Sequence, residues 1–367
     1  EYTQDSPAQI PSSFLIRVKN GKAFPAFQKN KNILLFQWSD FLAGKVILED
    51  SIKNKIISAL QKTRNNFCAL NNVFYPEGFI LVIKDHLKQP LEIHYTQSSK
   101  NEERGFNLRN FLFIEKRAQV VEIFYPREEK KPLFLNIQTD CFLEEKANLE
   151  YCSVDQTSDQ DILIHHLFSN LSKHSKAYFF TLCLNAGLSR WFKEVQQAEK
   201  SESQIKGLSL IAGNSHTDHR VIVKHQGKGG LSQQIYKSFL FDSARHIFQG
   251  LISIDKRADE SDTSQLNKNY LFGPKAFAVA FPELDICPSN VKANHGAAVS
   301  SFFENKQLVF YLKSRGIDPV LSFHLVLLSL VQETLLGLRD NSKNLIQTLI
   351  GQRLSSLERS LENSNYE

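Results

Sequence analysis

The feature that most constrains this chain is a long succession of short apolar segments, which begins near residue 79 and continues past residue 250 without a long amphipathic helix. Aromatic and β-branched residues are frequent in these segments, and polar residues, Gly or Asn separate them. This pattern is typical of β-strands. The expected strands are Phe79–Ile83, Leu91–Tyr95, Phe111–Ile114, Val120–Phe124, Phe134–Ile137, Ile162–Leu167, Tyr178–Leu184, Gln204–Ile211, Arg220–Lys224 and Leu251–Ile254.

A weak internal repeat accompanies these strands. A polar or basic cluster leads into an alanine and then into a strand, and three such alanines (Ala118, Ala147 and Ala177) are 29 and 30 residues apart. Small residues at a recurring corner let one coil of a solenoid nest on the next. A large antiparallel sandwich would also contain many short strands, but its hairpin signals are scarce, since Asn20-Gly21 is the only Asn-Gly pair and Asp-Gly is absent. The pattern therefore favours a β-solenoid over a sandwich.

The two ends of the chain have a helical character. Near the start, Ser51–Phe67 places apolar residues on one face of a helix. After Gly316, Asp318-Pro319 is a helix-start signal, and Leu345–Leu361 forms a second amphipathic segment. We expect the last two helices to pack on each other and to leave part of an apolar face for another contact. The expected division is a mainly helical region 1–75, a β-core 76–314 and a helical region 315–367.

Composition and charge exclude several classes of protein. Hydrophobic residues make up 42% of the 367 residues and charged residues 23%, as in ordinary soluble proteins. The net charge of +5 comes from scattered Lys and Arg with acidic neighbours, so we expect no nucleic-acid surface. No apolar run is long enough for a membrane span, and no signal peptide is visible, so we expect a soluble, cytoplasmic protein without a membrane partner. The five cysteines form no C-x-x-C pair, which indicates buried free thiols in a reducing compartment.

Two clusters could carry chemistry. His216, His219 and His225 resemble a loose set of metal ligands, but strand residues three apart point to opposite faces, so solvated strand-end histidines are the favoured interpretation. The pair His165-His166 is expected to be structural. An acidic run from Asp255 to Asp262 leaves open the alternative of a β-helix carbohydrate-active enzyme, although such an enzyme needs paired carboxylates in contrasting environments.

Motifs for nucleotide hydrolysis and for common hydrolases are absent, because the chain has no G-x-x-x-x-G-K-[ST], G-x-S-x-G or H-E-x-x-H. The densest polar cluster begins at Gln265–Asn269, whose side-chain amides could form ladders along a solenoid or cap exposed strand ends. Downstream, His295 precedes Gly296, which allows another surface to approach the imidazole. The residues alone leave a buried structural histidine and an interface or metal-site histidine equally open.

The chain resembles the SufB/SufD family of the SUF iron–sulfur cluster assembly machinery in several ordered motifs between residues 205 and 320. It is closer to the SufD branch, because SufB-like chains carry Glu-His-Glu-Ala where this chain has Asn294-His295-Gly296-Ala297. The motifs are Ser232-Gln-Gln-Ile-Tyr-Lys, Phe248-Gln-Gly, Asp262-Thr-Ser-Gln-Leu-Asn-Lys-Asn, Pro282-Glu-Leu-Asp-Ile, Asn294-His-Gly-Ala-Ala-Val and Phe310-Tyr-Leu-Lys-Ser-Arg-Gly-Ile.

This resemblance implies a right-handed parallel β-helix core with N-terminal and C-terminal helical domains, and no catalytic activity of its own. It implies a scaffold subunit that pairs with a SufB-like protein through the β-helix and binds a SufC-like ABC ATPase through its C-terminal helical region. It also allows a homodimer in isolation. The residues that we expect on the SufC side are Tyr311, Arg315, Gly316, Ile317 and Pro319.

The resemblance further implies that His295 faces iron or a nascent cluster at the interface with the SufB-like partner, with no cofactor bound stably by this chain alone. SufD relatives often carry a cysteine two residues before this histidine, where this chain has Ala293. Further ligands would therefore come from the partner.

Overall fold

The computed structural model describes residues 13–28, 30–74, 77–97, 105–126, 131–185, 187–301, 310–311 and 314–363. The described strands are β1 (Phe14–Lys19), β2 (Lys22–Pro25), β3 (Ile33–Gln37), β4 (Glu77–Ile83), β5 (Leu91–Thr96), β6 (Gly105–Ile114), β7 (Arg117–Phe124), β8 (Phe134–Leu143), β9 (Asn148–Asp155), β10 (Ile162–Leu171), β11 (Lys176–Cys183), β12 (Leu188–Gln197), β13 (Glu202–Ile211), β14 (His216–His225), β15 (Leu231–Leu240), β16 (Arg245–Ile254), β17 (Asp262–Leu271), β18 (Phe277–Ile286) and β19 (Lys292–Ser301). The described helices are α1 (Trp38–Leu42), α2 (Asp50–Leu60), α3 (Asn66–Val73), α4 (Pro319–Gln332) and α5 (Asp340–Asn363), with a 3-10 turn at Glu333–Leu335.

From β4 onward, each strand pairs with the strand after next rather than with its neighbour in sequence. Within the described ranges this produces a ten-stranded sheet, β19-β17-β15-β13-β11-β9-β7-β5-β1-β2, and a nine-stranded sheet, β18-β16-β14-β12-β10-β8-β6-β4-β3. The pairings from β4 to β19 are parallel and in register, with coils as short as the 26 residues from Ile162 to Leu188 and as long as the 32 from Arg245 to Phe277. The core is therefore a parallel β-solenoid, which confirms the predicted fold class.

The side chains that point into the space between the two sheets, here called the lumen, form the main hydrophobic core. Alternate residues of each strand face the lumen because successive side chains lie on opposite faces. Leu149 and Tyr151 contribute from the ten-stranded sheet, and Leu163 and Leu167 from the nine-stranded sheet. Each of the ten predicted strands overlaps an observed strand and extends at most one residue beyond it, but several observed strands, such as β6 and β8, are up to six residues longer than predicted.

The corners between the nine-stranded and the ten-stranded sheet repeat one local structure. A non-glycine residue with positive φ precedes a buried small residue, and its backbone N–H donates to a carbonyl of the next coil, as Lys146 does to Lys173 (3.1 Å) and Lys200 to Lys228 (2.9 Å). Ala147 occupies such a corner, as predicted. Ala118 and Ala177 instead lie inside strands, opposite Leu149 in the register. The corners that do have this local structure, with a positive-φ residue followed by a buried small residue, contain Lys146–Ala147, His174–Ser175, Lys200–Ser201 and Glu260–Ser261.

The expected N-terminal helical region is present only in part. Helices α1–α3 occur within 1–75, but β1 pairs with β5 and β3 pairs with β4, so these strands extend the two sheets of the core. The single helix expected over Ser51–Phe67 is divided, because α2 ends at Leu60 and α3 starts after Asn65, whose side-chain oxygen accepts the Cys68 N–H at 2.9 Å. An Asn at this position is a strong helix N-cap.

The C-terminal helices lie against the outer face of the ten-stranded sheet. Apolar residues of α4 and α5, including Leu327, Val331 and Ile346, form one buried cluster with sheet residues such as Phe180 and Leu208. The sheet thus covers most of the apolar surface that we expected the helices to bury on each other. Among the described residues, no helix is both long and apolar enough to cross a membrane.

Candidate functional site at the open end of the solenoid

The two ends of the solenoid differ in how their sheets finish. At the N-terminal end, antiparallel strands β2 and β3 complete the sheets. At the other end, β18 and β19 pair only with β16 and β17 within the described part of the chain. Their outer edges therefore present backbone N–H and C=O groups that another strand could use. We call β18 and β19 together the open end.

Side chains of the open end are more exposed than those of the coils beneath. In β16 and β17 exposed or half-buried positions alternate with buried ones, whereas none of the residues of β18 and β19 is buried. Phe277, Phe281 and Val299 are each about half exposed. Phe277 and Phe281 face away from the lumen on β18, whereas Val299 is on the lumen face of β19, so exposed apolar side chains occur on both faces of the open end.

His295 lies in β19 at the open end. Its Cα pairs in register with that of Gln265 in β17, which in turn pairs with Gln234 in β15. The buried positions of β17 include Thr263, Gln265 and Asn267, so this face points into the lumen and His295 occupies the same face one coil higher. His295 is exposed because no described coil covers it.

The open end does not contain a complete metal site. Within the described residues, no group of three or more His, Cys, Asp or Glu side chains is arranged to hold a metal ion. The lumen-facing neighbours of His295 on its own strand are Ala293 and Ala297, which carry no ligand atoms. A neutral imidazole is a good ligand for iron, so His295 can supply one ligand, but the described residues do not complete a set with it.

The five residues expected on the SufC side flank the start of α4. Tyr311 and Arg315 are exposed, and the guanidinium carbon of Arg315 lies 5.2 Å from the Tyr311 ring centroid. Gly316 has φ of +80°, and the half-buried Ile317 offers its carbonyl to the Ser322 hydroxyl at 3.3 Å. Pro319 is the first residue of α4, as the start signal predicts, and its side chain lies outside the described part.

Asp318 caps α4, since its side-chain oxygen accepts the N–H of Leu321 at 3.3 Å. The described residues 311 and 314–319, called here the α4 link, lead into this capped helix. Further along, Lys206 Nζ donates to the Leu336 carbonyl at 2.6 Å, and Lys237 Nζ donates to the Leu330 carbonyl at 2.9 Å. These bonds attach the helical region to the sheet.

The lumen contains charged groups that the sequence does not reveal. Glu122 and His165 are fully buried with Oε1 and Nε2 3.0 Å apart, and Ser153 donates to the same Glu122 oxygen at 2.6 Å. Burial opposes ionisation of Glu122, but His165 and these hydrogen bonds hold its pKa below the usual value. Nearby, burial lowers the pKa of Lys193 to about 8. The sequence does not mark Glu122 and Lys193 as lumen residues, because charged strand residues usually face solvent.

The histidine cluster predicted around residue 216 is not a metal site. His219 and His225 are buried in the lumen, so the expectation of solvated strand-end histidines is wrong for both. His219 Nε2 lies 3.3 Å from Ser209 Oγ and 3.8 Å from Cys183 Sγ, and burial lowers the pKa of His219 well below its usual value. His165 and His166 are buried and structural, as expected.

The acidic run lies at the corner between β16 and β17, and two of its carboxylates are paired with basic side chains. Asp255 accepts from Arg257 at 3.4 Å, and Glu260 pairs with Lys228 at 2.9 Å. Hydrogen bonds from Arg257 hold the pKa of Asp255 below its usual range. Glycoside hydrolysis requires two carboxyl groups across a cleft, one with a raised pKa and one ionised. These residues do not form such a pair.

Comparison with known proteins identifies the family. Residues 95–328 match the family described as SUF system FeS cluster assembly, SufBD core domain. An iron–sulfur cluster assembly SufBD family protein of Synechocystis is 28% identical over 281 residues, which cover 73% of this chain and 62% of that protein. The SufD protein of Escherichia coli is 27% identical over 275 residues, covering 73% of this chain and 64% of that protein.

A chloroplastic protein of Arabidopsis thaliana, ABCI7, is 21% identical over 323 residues, which cover 83% of this chain and 67% of that protein. The chain thus spans a little under two thirds of the length of the Synechocystis and Escherichia coli relatives. The family match covers more than half of the chain and coincides with the solenoid and the start of α4. The chain therefore belongs to the SufBD family of the SUF iron–sulfur cluster assembly system and, within that family, is SufD-like.

Proposed function

We propose that the chain is a non-catalytic scaffold subunit that pairs with a SufB-like protein, binds a SufC-like ABC ATPase and supports cluster assembly and transfer. The observation that carries the proposal is the open end, where strand edges that no described strand covers, exposed apolar side chains and His295 occur together. Family membership supports the assembly process as the setting. The carbohydrate-active alternative has no supporting arrangement of carboxylates among the described residues.

Pairing with the SufB-like protein uses the edges of β18 and β19. Main-chain hydrogen bonds to an added strand give affinity, and apolar side chains at the same place give specificity. Val299 is 51% exposed at the open end, whereas Leu231 is 45% exposed at the start of β15, which is paired on both sides, with β13 and β17. These two residues form a matched test and control.

We expect Val299→Lys to abolish co-purification with a co-expressed SufB-like protein, because a charge would have to be buried in the interface. Leu231→Lys should retain the complex. Thermal unfolding of each variant alone checks that both remain folded. A complex that survives Val299→Lys, or that is lost equally in both variants, would contradict the use of the open end.

The iron or nascent cluster is cargo rather than a resident cofactor in this proposal. His295 supplies one imidazole ligand to it, and the SufB-like partner supplies the others, since Ala293 has no ligand atom. His295→Ala should keep the folded chain and the partner complex but lower the iron and acid-labile sulfide recovered with the anaerobically purified complex. His86→Ala, which changes an exposed histidine away from the open end, should leave both unchanged. Equal cluster recovery in the two variants would reject the role of His295.

The SufC-like ATPase binds the α4 link in this proposal. Tyr311 and Arg315 stack in an exposed position, while the attachment of α4 and α5 to the sheet uses other residues. A Tyr311→Ala, Arg315→Ala double variant should lose co-purification with the ATPase and retain the SufB-like partner. Leu336→Ala, an exposed apolar residue of the same region, is the control and should retain both partners. Retention of the ATPase by the double variant would place its binding surface elsewhere.

The cytoplasm is the proposed compartment. Four of the five cysteines are buried as free thiols, and Cys287 is exposed as a free thiol. Exposed unpaired thiols are stable in reducing compartments and are oxidised elsewhere. Recovery of the protein in the soluble cytoplasmic fraction of its source cells is expected, and recovery in a membrane or oxidising fraction would contradict this assignment.

A further inference from the structure

Three polar residues stack along one lumen face beneath the open end. Gln234, Gln265 and His295 are in-register partners on β15, β17 and β19, so each lies one strand spacing above the last. That spacing is about 4.8 Å, which lets side chains of adjacent coils exchange hydrogen bonds. Gln234 and Gln265 are fully buried, and His295 is exposed at the top of the stack.

The amide of Gln265 lacks a partner in the surroundings that the structure describes. Neither its Nε2 nor its Oε1 makes a hydrogen bond, and the same is true of Gln234. By contrast, Asn269 on the same strand donates to Asn267 at 2.6 Å. A buried amide without hydrogen bonds is costly, so an orphaned pair of glutamines beneath an exposed imidazole calls for a partner.

The far end of Gln265 crosses the lumen to the nine-stranded sheet. A Cβ placed on Gly250 would lie 1.9 Å from Gln265 Nε2, so the absence of a side chain at residue 250 provides the room for this amide. His295 is the in-register partner of Gln265 on the next coil, so rotation about the side-chain torsions of Gln265 would turn the amide from Gly250 toward it.

We propose that Gln265 is a positioning residue for His295: with its amide turned from Gly250 toward the next coil, its Oε1 accepts a hydrogen bond from Nδ1–H of the imidazole, and this holds the tautomer in which Nε2 is unprotonated and free at the open end. The inference rests on the proposed function, because it gives the free Nε2 a use as the ligand for the cargo. Histidines that bind metals are commonly fixed in this way, by a hydrogen bond from the other ring nitrogen.

The test is nuclear magnetic resonance of the full-length chain, labelled with ¹⁵N-histidine, without metal or partners and at one pH where the imidazole is neutral. Loss of a signal in His295→Ala identifies the resonances of His295. In the wild type we expect the Nδ1–H tautomer, and in Gln265→Leu we expect the mixture of tautomers of a solvated histidine. Gln265→Glu keeps an acceptor oxygen at the same place and should restore the Nδ1–H tautomer.

Gln234→Leu is the matched control, since it removes an equally buried amide from the same face one coil deeper. It should leave the tautomer of His295 unchanged. A wild-type pattern in Gln265→Leu, or an equal change in Gln234→Leu, would overturn the positioning role. Because no partner or cargo is present, this outcome is independent of the partner and cluster experiments, which test the proposed function separately.

Discussion

Gly207 and Tyr236 are in-register partners on β13 and β15, and the Tyr236 ring occupies the space above Gly207. A Cβ built on Gly207 would lie 2.2 Å from Cε1 and 2.3 Å from Cδ1 of that ring. The ring is held from the other side by His219 and Phe248, whose ring centroids lie 5.1 and 5.0 Å away. Because residue 207 has no side chain, the ring of Tyr236 fits into this part of the lumen.

The first prediction follows from this contact. Gly207→Ala should lower the free energy of unfolding by about 1–3 kcal/mol, because the rigid ring has no free space to move into. Urea unfolding measures the change. Tyr236→Leu in the same chain should reduce the penalty of the alanine, whereas Tyr236→Phe should not, since phenylalanine keeps the two clashing carbons. An additive loss in the Gly207→Ala, Tyr236→Leu double variant would contradict the contact.

The second prediction concerns the buried Lys193. Its pKa is lowered to about 8 by burial, whereas the unfolded chain titrates near the ordinary value of 10.5. Between these two values the unfolded state binds a proton that the folded state does not, so this residue makes stability rise with pH there. The free energy of unfolding of the wild type minus that of Lys193→Met should increase across this window by about 1.4 kcal/mol per pH unit at most.

Below pH 8 the folded wild type carries a buried charge, and we expect Lys193→Met to be at least as stable. The charges of Glu122, Cys152 and Cys183 also affect the pKa of Lys193. Because both proteins contain these three residues, their own titration cancels to first order in the difference between the two free energies of unfolding. Urea unfolding at intervals from pH 7 to pH 10.5 provides the measurement. A pH-independent difference would show that folding does not lower the pKa of Lys193.

The third prediction concerns acid. His246 is fully buried, its Nδ1 lies 2.8 Å from Thr217 Oγ1, and burial followed by the charge of His216 lowers its pKa to about 3. Below its ordinary pKa of 6.5 the unfolded chain takes up a proton that the folded chain does not, so stability falls as the pH falls. The stability advantage of the wild type over His246→Asn should shrink by about 1.4 kcal/mol per pH unit between pH 6.5 and 4. Parallel curves for the two proteins would contradict this.

Whether the sequence predicts a strand depends largely on its apolar residues. Strand β4 contains a continuous apolar run, Phe79–Ile83, and the sequence predicts it. Strand β12 was not predicted, because Lys193 and Gln197 face inward and remove the alternation that marks a strand. Strands β17 and β19 were missed for the same reason, since amides and small residues replace the apolar face.

The candidate site was only partly predictable. The sequence singled out His295 and the amides from Gln265 onward, but not that Gln265 lies directly beneath His295. That relation depends on the register between coils, and the coil lengths vary from 26 to 32 residues. A one-residue change in a corner would turn Gln265 to the outer face. The sequence alone does not fix such a register, because the corners have no common length.

The last prediction concerns the attachment of the helical region. Arg339, just before α5, donates to the Asn148 side chain at 2.6 Å and to the Ala118 carbonyl at 3.2 Å, and its backbone N–H donates to the buried Glu150 carboxylate at 2.8 Å. Arg339→Ala removes the cation nearest to Glu150 and should lower the free energy of unfolding by about 3 kcal/mol. Arg339 attaches the N-terminal end of α5 to the sheet. Its loss should therefore accelerate hydrogen exchange in 340–350 more than in the β-core. Gln352→Ala, an exposed position on the same helix, is the control and should leave both quantities unchanged. Uniform acceleration of exchange throughout the chain would instead mean that the helices and the solenoid unfold as one unit.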